Sequence, residues 1–314
     1  MVKYSLDYHP AAPNIKPMLN HRRQLRWTHN VVAPLVIAGL VAAAHAEAGP
    51  PAATAGSYAP VNGLKLYYEI HGPSQAAAPP LVLLHGGGST IATSFAKLLP
   101  RLAGHRRVIA FEQQGHGHTA DVVDRPFDFE RSADDAAALL KFLKVGQADF
   151  LGYSNGGTIA LQIAIRHPGL VRKQVLVSAT FKRDGLPPPF WEGMKHATLA
   201  SMPIELREAY LHAAPHPEQL QSFHDKSVRR MLEFKDIPAP TVRSVAAPTL
   251  IMVGDADVVR PEHAVELFRL LPHAELAILP ATDHMTMVAW TAAQTSMIET
   301  FLDAGLGALA APAP

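Results

Sequence analysis

The sequence predicts an α/β fold, a mostly parallel central sheet with helices on both faces and a helical cap insertion before the last strands. Three observations carry that expectation. Apolar strand-like runs alternate with helical stretches, a serine stands between glycines where one such run turns into a helix, and the alternation lapses between Ala179 and Pro248. Short apolar runs without polar alternation are what strands buried on both faces look like, and parallel neighbours need helical crossovers to cover those faces.

Taken in order, Tyr58 to Ile70 alternates about Asn62-Gly63, a pair suited to the turn of an opening β-hairpin. Strands are expected near 81–85, 107–112, 148–153 and 173–179, and again at Pro248 to Gly254 and Ala274 to Leu279. Helices are expected over Thr158 to Ala164 and from Ser132 to Lys144, where a serine followed by acids marks a start. Residues 57–180 and 246–304 form the core in this reading, and residues 181–245 form the cap, introduced by Pro187-Pro188-Pro189. Within the cap, Leu206, Ala209, Tyr210 and Ala213 share one helical stripe, and Leu220, Phe223, Met231 and Phe234 share another. Phe190, Trp191 and Met194, with Tyr153 and Met285 from the core, are candidate walls of a substrate pocket.

Composition removes several classes of function. A chain of 314 residues with 48% hydrophobic content can bury a sizeable core, so disorder is excluded as its general state. The formal net charge is +1 and no dense Lys/Arg cluster lies in the chemistry-bearing region, so a nucleic-acid footprint is not expected. With no cysteine, a thiol nucleophile, a cysteine-ligated metal and disulfides are all excluded.

At the amino end, His21-Arg22-Arg23-Gln24-Leu25-Arg26 precedes an apolar run from Val31 to Ala44, and Ala44-His45-Ala46 supplies small residues for cleavage. That pattern predicts a secretory signal peptide over residues 1–46, with 1–17 an overlong start upstream of Met18. The apolar run contains Pro34 and Gly39 and is shorter than the roughly 20 residues of a spanning helix, so no permanent membrane anchor is expected. Arg22-Arg23 resembles a twin-arginine signal, although Leu25 and Arg26 replace the usual Phe-Leu pair. The expected destination is periplasmic or extracellular, with 47–56 a flexible linker and 305–314 a flexible tail. Oligomeric state is left open by the sequence.

The chemistry concentrates in four short motifs. Gly152-Tyr153-Ser154-Asn155-Gly156 sits between an apolar strand and a helix, so the chain must reverse sharply at Ser154, and the flanking glycines clear the turn of Cβ atoms. Leu81-Val82-Leu83-Leu84 runs directly into His85-Gly86-Gly87-Gly88, a loop that bares its amides. No Gly-Lys-Ser/Thr follows, and the spacing is not that of a dinucleotide fingerprint. Gly254-Asp255-Ala256-Asp257 and Asp283-His284 lie just past two further strands. In a parallel sheet the carboxyl ends share one edge, so Ser154, Asp257 and His284 can converge there. Asp255 and Asp283 are rival acids, with turn capping as their alternative role. His116 and His118 lack a third ligand nearby, so no metal site is expected.

From about Gly63 to Leu302 the chain resembles the α/β-hydrolase fold enzymes, whose triad follows the order serine, acid, histidine. The resemblance implies Ser154 as nucleophile, Asp257 as orienting acid through the Gly254-x-x-Asp257 turn, and His284 as base. It also implies oxyanion donation by the backbone N–H groups of Gly87 and Asn155. One departure is Phe111 to Thr119, where many members carry Asp-x-Arg-Gly-x-Gly and this chain has Gln114 in place of the arginine. The expected activity is hydrolysis of a small-molecule carboxylic ester or lactone through an acyl-enzyme, without a cofactor. Perhydrolysis of the cofactor-free haloperoxidase kind, carbon–carbon bond hydrolysis, and a non-catalytic ligand-binding role are the alternatives.

Overall fold

Eight strands build one sheet: β1 (Ser57–Val61), β2 (Leu64–His71), β3 (Leu81–Leu84), β4 (Val108–Phe111), β5 (Ala148–Tyr153), β6 (Val171–Val177), β7 (Thr249–Gly254) and β8 (Ala274–Leu279). The computed structural model describes residues 56–74, 76 and 78–305. The leader at 1–46, the linker apart from Gly56 and the tail apart from Gly305 lie outside the described residues.

The spatial order is β1-β2-β4-β3-β5-β6-β7-β8, and only the β1–β2 and β2–β4 pairs are antiparallel. Asn62 and Gly63 both adopt positive φ, 47° and 81°, the geometry that matches a two-residue hairpin turn to the twist of its strands. Strand order reverses around β3, which has β4 on one side and β5 on the other. That reversal is where a parallel sheet opens a crevice at its carboxyl edge.

Ten helices accompany the sheet among the described residues: α1 (Ile91–Phe95), α2 (Leu99–Ala103), α3 (Phe129–Phe142), α4 (Asn155–Arg166), α5 (Pro188–Lys195), α6 (Ile204–Ala213), α7 (Leu220–Leu232), α8 (Ala239–Arg243), α9 (Pro261–Leu270) and α10 (Ala292–Asp303). Side chains alternate across a strand, and β3 divides its four accordingly. Leu81 and Leu83 pack with Leu102, Ile298 and Phe301 on one face, while Val82 and Leu84 pack with Ala136, Leu139, Ile159 and Leu267 on the other. Each fully buried leucine contributes roughly 1.5–3 kcal/mol, so the two-sided burial of the apolar runs is what fixes the sheet.

Several boundaries differ from expectation: α4 runs from Asn155 to Arg166 instead of Thr158 to Ala164, β6 from Val171 to Val177 instead of 173–179, and α3 shifts at both ends. Helix α3 begins at Phe129, three residues before Ser132, because the Asp128 carboxylate accepts the Arg131 N–H at 2.8 Å and caps the end first. Ser132 then lies inside the first turn and its hydroxyl donates to the Asp128 carbonyl at 2.8 Å. The helix stops at Phe142, with Lys144 in the left-handed region at φ 55°.

No strand lies between β6 and β7 among the described residues; α5 to α8 fill that interval. Tyr210, Leu220 and Phe223 form a small separate apolar cluster with Phe127 from below the insertion. No described helix is long and apolar enough to cross a membrane.

Candidate active site

The turn from β5 into α4 places Ser154 at φ 55° and ψ −122°, a conformation that costs a non-glycine residue on the order of 1–3 kcal/mol. Its surroundings hold it there. The Ser154 amide donates to the Val177 carbonyl at 2.8 Å, and its own carbonyl accepts from the Gly157 and Thr158 amides at 2.9 and 3.2 Å. A Cβ on Gly156 would collide with the Leu84 carbonyl, and one on Gly152 would collide with the Gly156 backbone, so both elbow positions exclude side chains. Ser154 is left half-buried, with its hydroxyl facing a cavity.

Five neighbouring strand ends supply the rest. The glycine loop follows β3, Ser154 follows β5, Ser178 follows β6, Asp257 follows β7 and His284 follows β8. His284 donates from Nδ1 to Asp257 Oδ1 at 2.8 Å, which leaves the Nε2 lone pair to accept from Ser154 Oγ at 3.0 Å. Asp257 also accepts the Val259 amide at 2.9 Å and the Ser178 hydroxyl at 2.5 Å. Burial alone would raise the Asp257 carboxyl; the hydrogen bond and charge of His284, with Ser178 and Val259, outweigh it and hold the group below the usual carboxylate range. The rival acids sit in turns: Asp255 accepts the Thr282 amide at 3.2 Å and Asp283 accepts the Thr286 amide at 2.7 Å.

The amides of Gly87 and Asn155 have no partner among the described residues, and both residues line the cavity beside Ser154. Asn155 opens α4, so its N–H lies at the positive end of the helix dipole. The cavity measures about 240 Å³. Phe190 and Met194, one helical turn apart on α5, line it; Trp191, Tyr153 and Met285 do not. Trp191 faces away, its indole N–H donating to the Arg183 carbonyl at 2.9 Å while the Arg183 guanidinium covers its ring at 3.9 Å. Tyr153 points into the core and donates its hydroxyl to the His284 carbonyl at 2.6 Å, which places it behind the imidazole. Met285 is 53% exposed and turned to solvent.

Beneath the glycine loop lies a buried polar network. His85 donates from Nδ1 to the Gly86 carbonyl at 2.8 Å and accepts the Gln113 amide at Nε2, 3.0 Å away. His116 accepts the Gly88 amide at 3.2 Å and donates to the Gln114 carbonyl at 2.9 Å. Burial holds both imidazoles neutral, pushing His85 down to about 4 and His116 well below its ordinary value. Gln114 ties its loop as an arginine would, donating to Asp121 and to the Arg125 carbonyl at 2.8 Å each. His118 pairs separately with Glu112 at 2.9 Å.

Sequence reasoning missed Ser178, His116 and Arg230 as parts of this region. Ser178 carried only a weak signal, its place just past a strand end, and Arg230 carried none beyond its position on a cap helix. Asp184, His263 and Glu266 approach one another as a metal-ligand set would. Their chemistry does not fit one: His263 accepts the Phe181 amide at Nε2, 3.1 Å away, so Nδ1 carries the proton, and Lys182 already engages Glu266 at 2.8 Å and Asp184 at 3.3 Å.

Residues 81–294 match the family model described as the alpha/beta hydrolase family. The chain is 28% identical over 249 residues to a 2-hydroxymuconate semialdehyde hydrolase of Pseudomonas sp. (strain CF600), covering 71% of this chain and 86% of that protein. It is 29% identical over 253 residues to a pimeloyl-[acyl-carrier protein] methyl ester esterase of Neisseria meningitidis, covering 73% of this chain and 95% of that protein. Among solved structures, an enol-lactonase from Burkholderia xenovorans LB400 superposes with a TM-score of 0.64 at 23% identity, covering 79% of this chain and all of that one. At that identity the superposition speaks to the fold.

Proposed function

Because the chain belongs to the alpha/beta hydrolase family, we propose that it is a serine hydrolase that cleaves small carboxylic esters or lactones through an acyl-enzyme. The observation that carries this reading is the unbroken chain from Asp257 through His284 to the Ser154 hydroxyl, with spans of 2.8 and 3.0 Å, ending in a cavity. Ser154 Oγ attacks the carbonyl carbon while His284 Nε2 takes its proton, and Asp257 stabilises the resulting imidazolium. The tetrahedral oxygen turns toward the amides of Gly87 and Asn155; one such donor is worth about 3–4 kcal/mol in the transition state. Collapse restores the carbonyl and breaks the bond from its carbon to the alkoxy oxygen, and the departing alkoxide takes the proton from His284. Water then attacks the acyl carbon as His284 takes its proton, and collapse of that second intermediate breaks the bond to Ser154 Oγ, which regains a proton from His284 as the acid is released.

The 29% identity to a methyl ester esterase supports ester cleavage, and a cavity of about 240 Å³, below the ~300 Å³ at which common ligand pockets begin, supports a small substrate. Carbon–carbon bond hydrolysis by the same serine is the second reading, favoured by the 28% identity to a semialdehyde hydrolase. Kinetics on short and long p-nitrophenyl esters, lactones and vinylogous β-diketones separate the two. Ester or lactone turnover with a pre-steady-state burst of alcohol supports the first reading, whereas diketone cleavage without ester turnover overturns it.

Export belongs to the same proposal. Residues 1–46 carry the basic stretch, apolar run and small-residue site of a signal peptide. Amino-terminal sequencing of the protein from fractionated cells should find Glu47 first, in the periplasm or medium. An intact leader on cytoplasmic protein would contradict it.

A further inference from the structure

Among the described residues lining the cavity, Arg230 on α7 is the one guanidinium or ammonium, and the reaction does not use it; His224, also in the lining, has its own acid partner, Asp225, at 3.0 Å. It is 4% exposed. Its Nη1 donates to Gln113 Oε1 at 3.2 Å, whereas Nε and Nη2 are buried without a partner. Nothing neutralises it at close range. Among the described residues no carboxylate stands at ion-pair distance: the catalytic cavity has no aspartate or glutamate in its lining, and of the acids on the neighbouring cavity that Arg230 also borders, Asp128, Glu130 and Glu233, only Asp128 acts on it, through space. The Phe127 and Phe129 rings, 5.7 and 5.3 Å from the guanidinium carbon, compensate part of its charge. Burial lowers its pKa to about 10, which leaves it cationic at neutral pH, and the adjoining His85 and His116 are neutral.

A buried guanidinium with two idle nitrogens is destabilising unless an anion completes it. Its position says where that anion would lie. A Cβ on Gly87 would stand 3.3 Å from Arg230 Nη2, with the Asn155 side-chain amide nearer still, so the guanidinium borders the glycine loop that carries the proposed oxyanion donor. A planar fork of N–H donors matches a carboxylate bidentately.

We propose that the substrate carries a second, free carboxylate in its acyl part, close to the reacting carbonyl, and that Arg230 binds it. The substrate class is then the monoester of a short dicarboxylic acid, or a lactone bearing a carboxylate, and this rests on the serine-hydrolase reading of the same cavity. Nε and Nη2 are buried in the free protein, so taking up the carboxylate requires the side chain to turn toward the cavity. Arg230 is a specificity-determining residue in this arrangement, and the bond-breaking step stays with Ser154 and His284.

The test is a discrimination ratio measured on the purified full chain: kcat/KM for monomethyl glutarate over kcat/KM for dimethyl glutarate. The wild type should favour the charged ester by about 100-fold, Arg230→Met should bring the ratio near one, and Arg230→Lys should fall between. Equal losses on both esters in Arg230→Met would overturn the proposal, since the guanidinium would then act on the oxyanion or on folding. If that variant fails to fold, inhibition of the wild type decides: glutarate should compete with dimethyl glutarate and glutaramide should not, and equal inhibition by both overturns the idea. Labelling by a neutral fluorophosphonate keeps the two readings apart. A wild type that labels and cleaves the neutral ester with a ratio near one loses only the Arg230 assignment; one that neither labels nor cleaves loses the serine reading beneath it.

Discussion

The carboxyl edge of the sheet and the helical roof over it border the same cavity, yet different physics specifies them. At the sheet edge, backbone geometry does the placing: a positive φ at Ser154, glycines that no side chain can replace, and strand ends in fixed register. In the roof, side-chain packing on short helices decides which residues face inward, so Phe190 lines the cavity and adjacent Trp191 does not. The buried arginines mark the same contrast. Arg106 in the body is 1% exposed and pairs with Asp149 at 2.6 Å and with Asp303, whereas Arg230 in the roof has no acid partner among the described residues. A paired buried charge serves the fold, and an unpaired one beside a cavity points to a ligand.

The sharpest way to break the contrast is at the edge itself. Ser154→Ala should lower kcat by roughly 10⁴- to 10⁶-fold in the ester assay while leaving unfolding by denaturant nearly unchanged; a loss under tenfold would remove Ser154 as nucleophile. Asp257→Asn should cost about 10³- to 10⁴-fold in kcat, because the neutral amide no longer fixes the imidazole tautomer. Arg106→Met should leave kcat alone and cost about 3 kcal/mol in urea unfolding, the low end for a broken buried pair because Asp149 keeps Arg172 at 2.5 Å.

Acid should reveal the buried network. The folded protein holds His85 at about 4, against an ordinary 6.5, so between those values the unfolded chain binds a proton that the folded chain refuses. Stability from this histidine is therefore complete above 6.5 and is lost as pH falls toward 4, about 2 kcal/mol by pH 5. His85→Gln should flatten that part of the profile in denaturation curves; an unchanged slope would assign it to other groups. The smallest effect belongs to the roof. Phe190→Ala should raise KM about tenfold and Trp191→Phe should leave KM within about twofold, since only Phe190 faces the cavity. Equal shifts would erase the difference between the two faces of α5.

These regions also differed in how far the sequence disclosed them. The strand runs and the elbow were legible because each has a local physical signature: two-sided burial gives unbroken apolar runs, and a reversing chain demands Gly152 and Gly156. The placement of His284 and Asp257 followed from strand ends sharing an edge. Local signatures failed where a distant group decides. Trp191 and Phe190 are indistinguishable until Arg183 covers one of them, Asp128 outcompetes Ser132 as a cap only through its reach to the Arg131 amide, and Ser178 matters only because Asp257 lies across from it. Arg230 is a cap-helix arginine like its neighbour Arg229 until the fold seals it against Gly87.

Whether one hydroxyl is chemically activated decides between a working hydrolase and an inert copy of its fold. Intact-mass and peptide-mapping measurements after brief exposure to a fluorophosphonate should find one adduct on Ser154, absent in Ser154→Ala and far slower to form in His284→Ala. An unmodified Ser154, or labelling that proceeds at the same rate without His284, would contradict the mechanism.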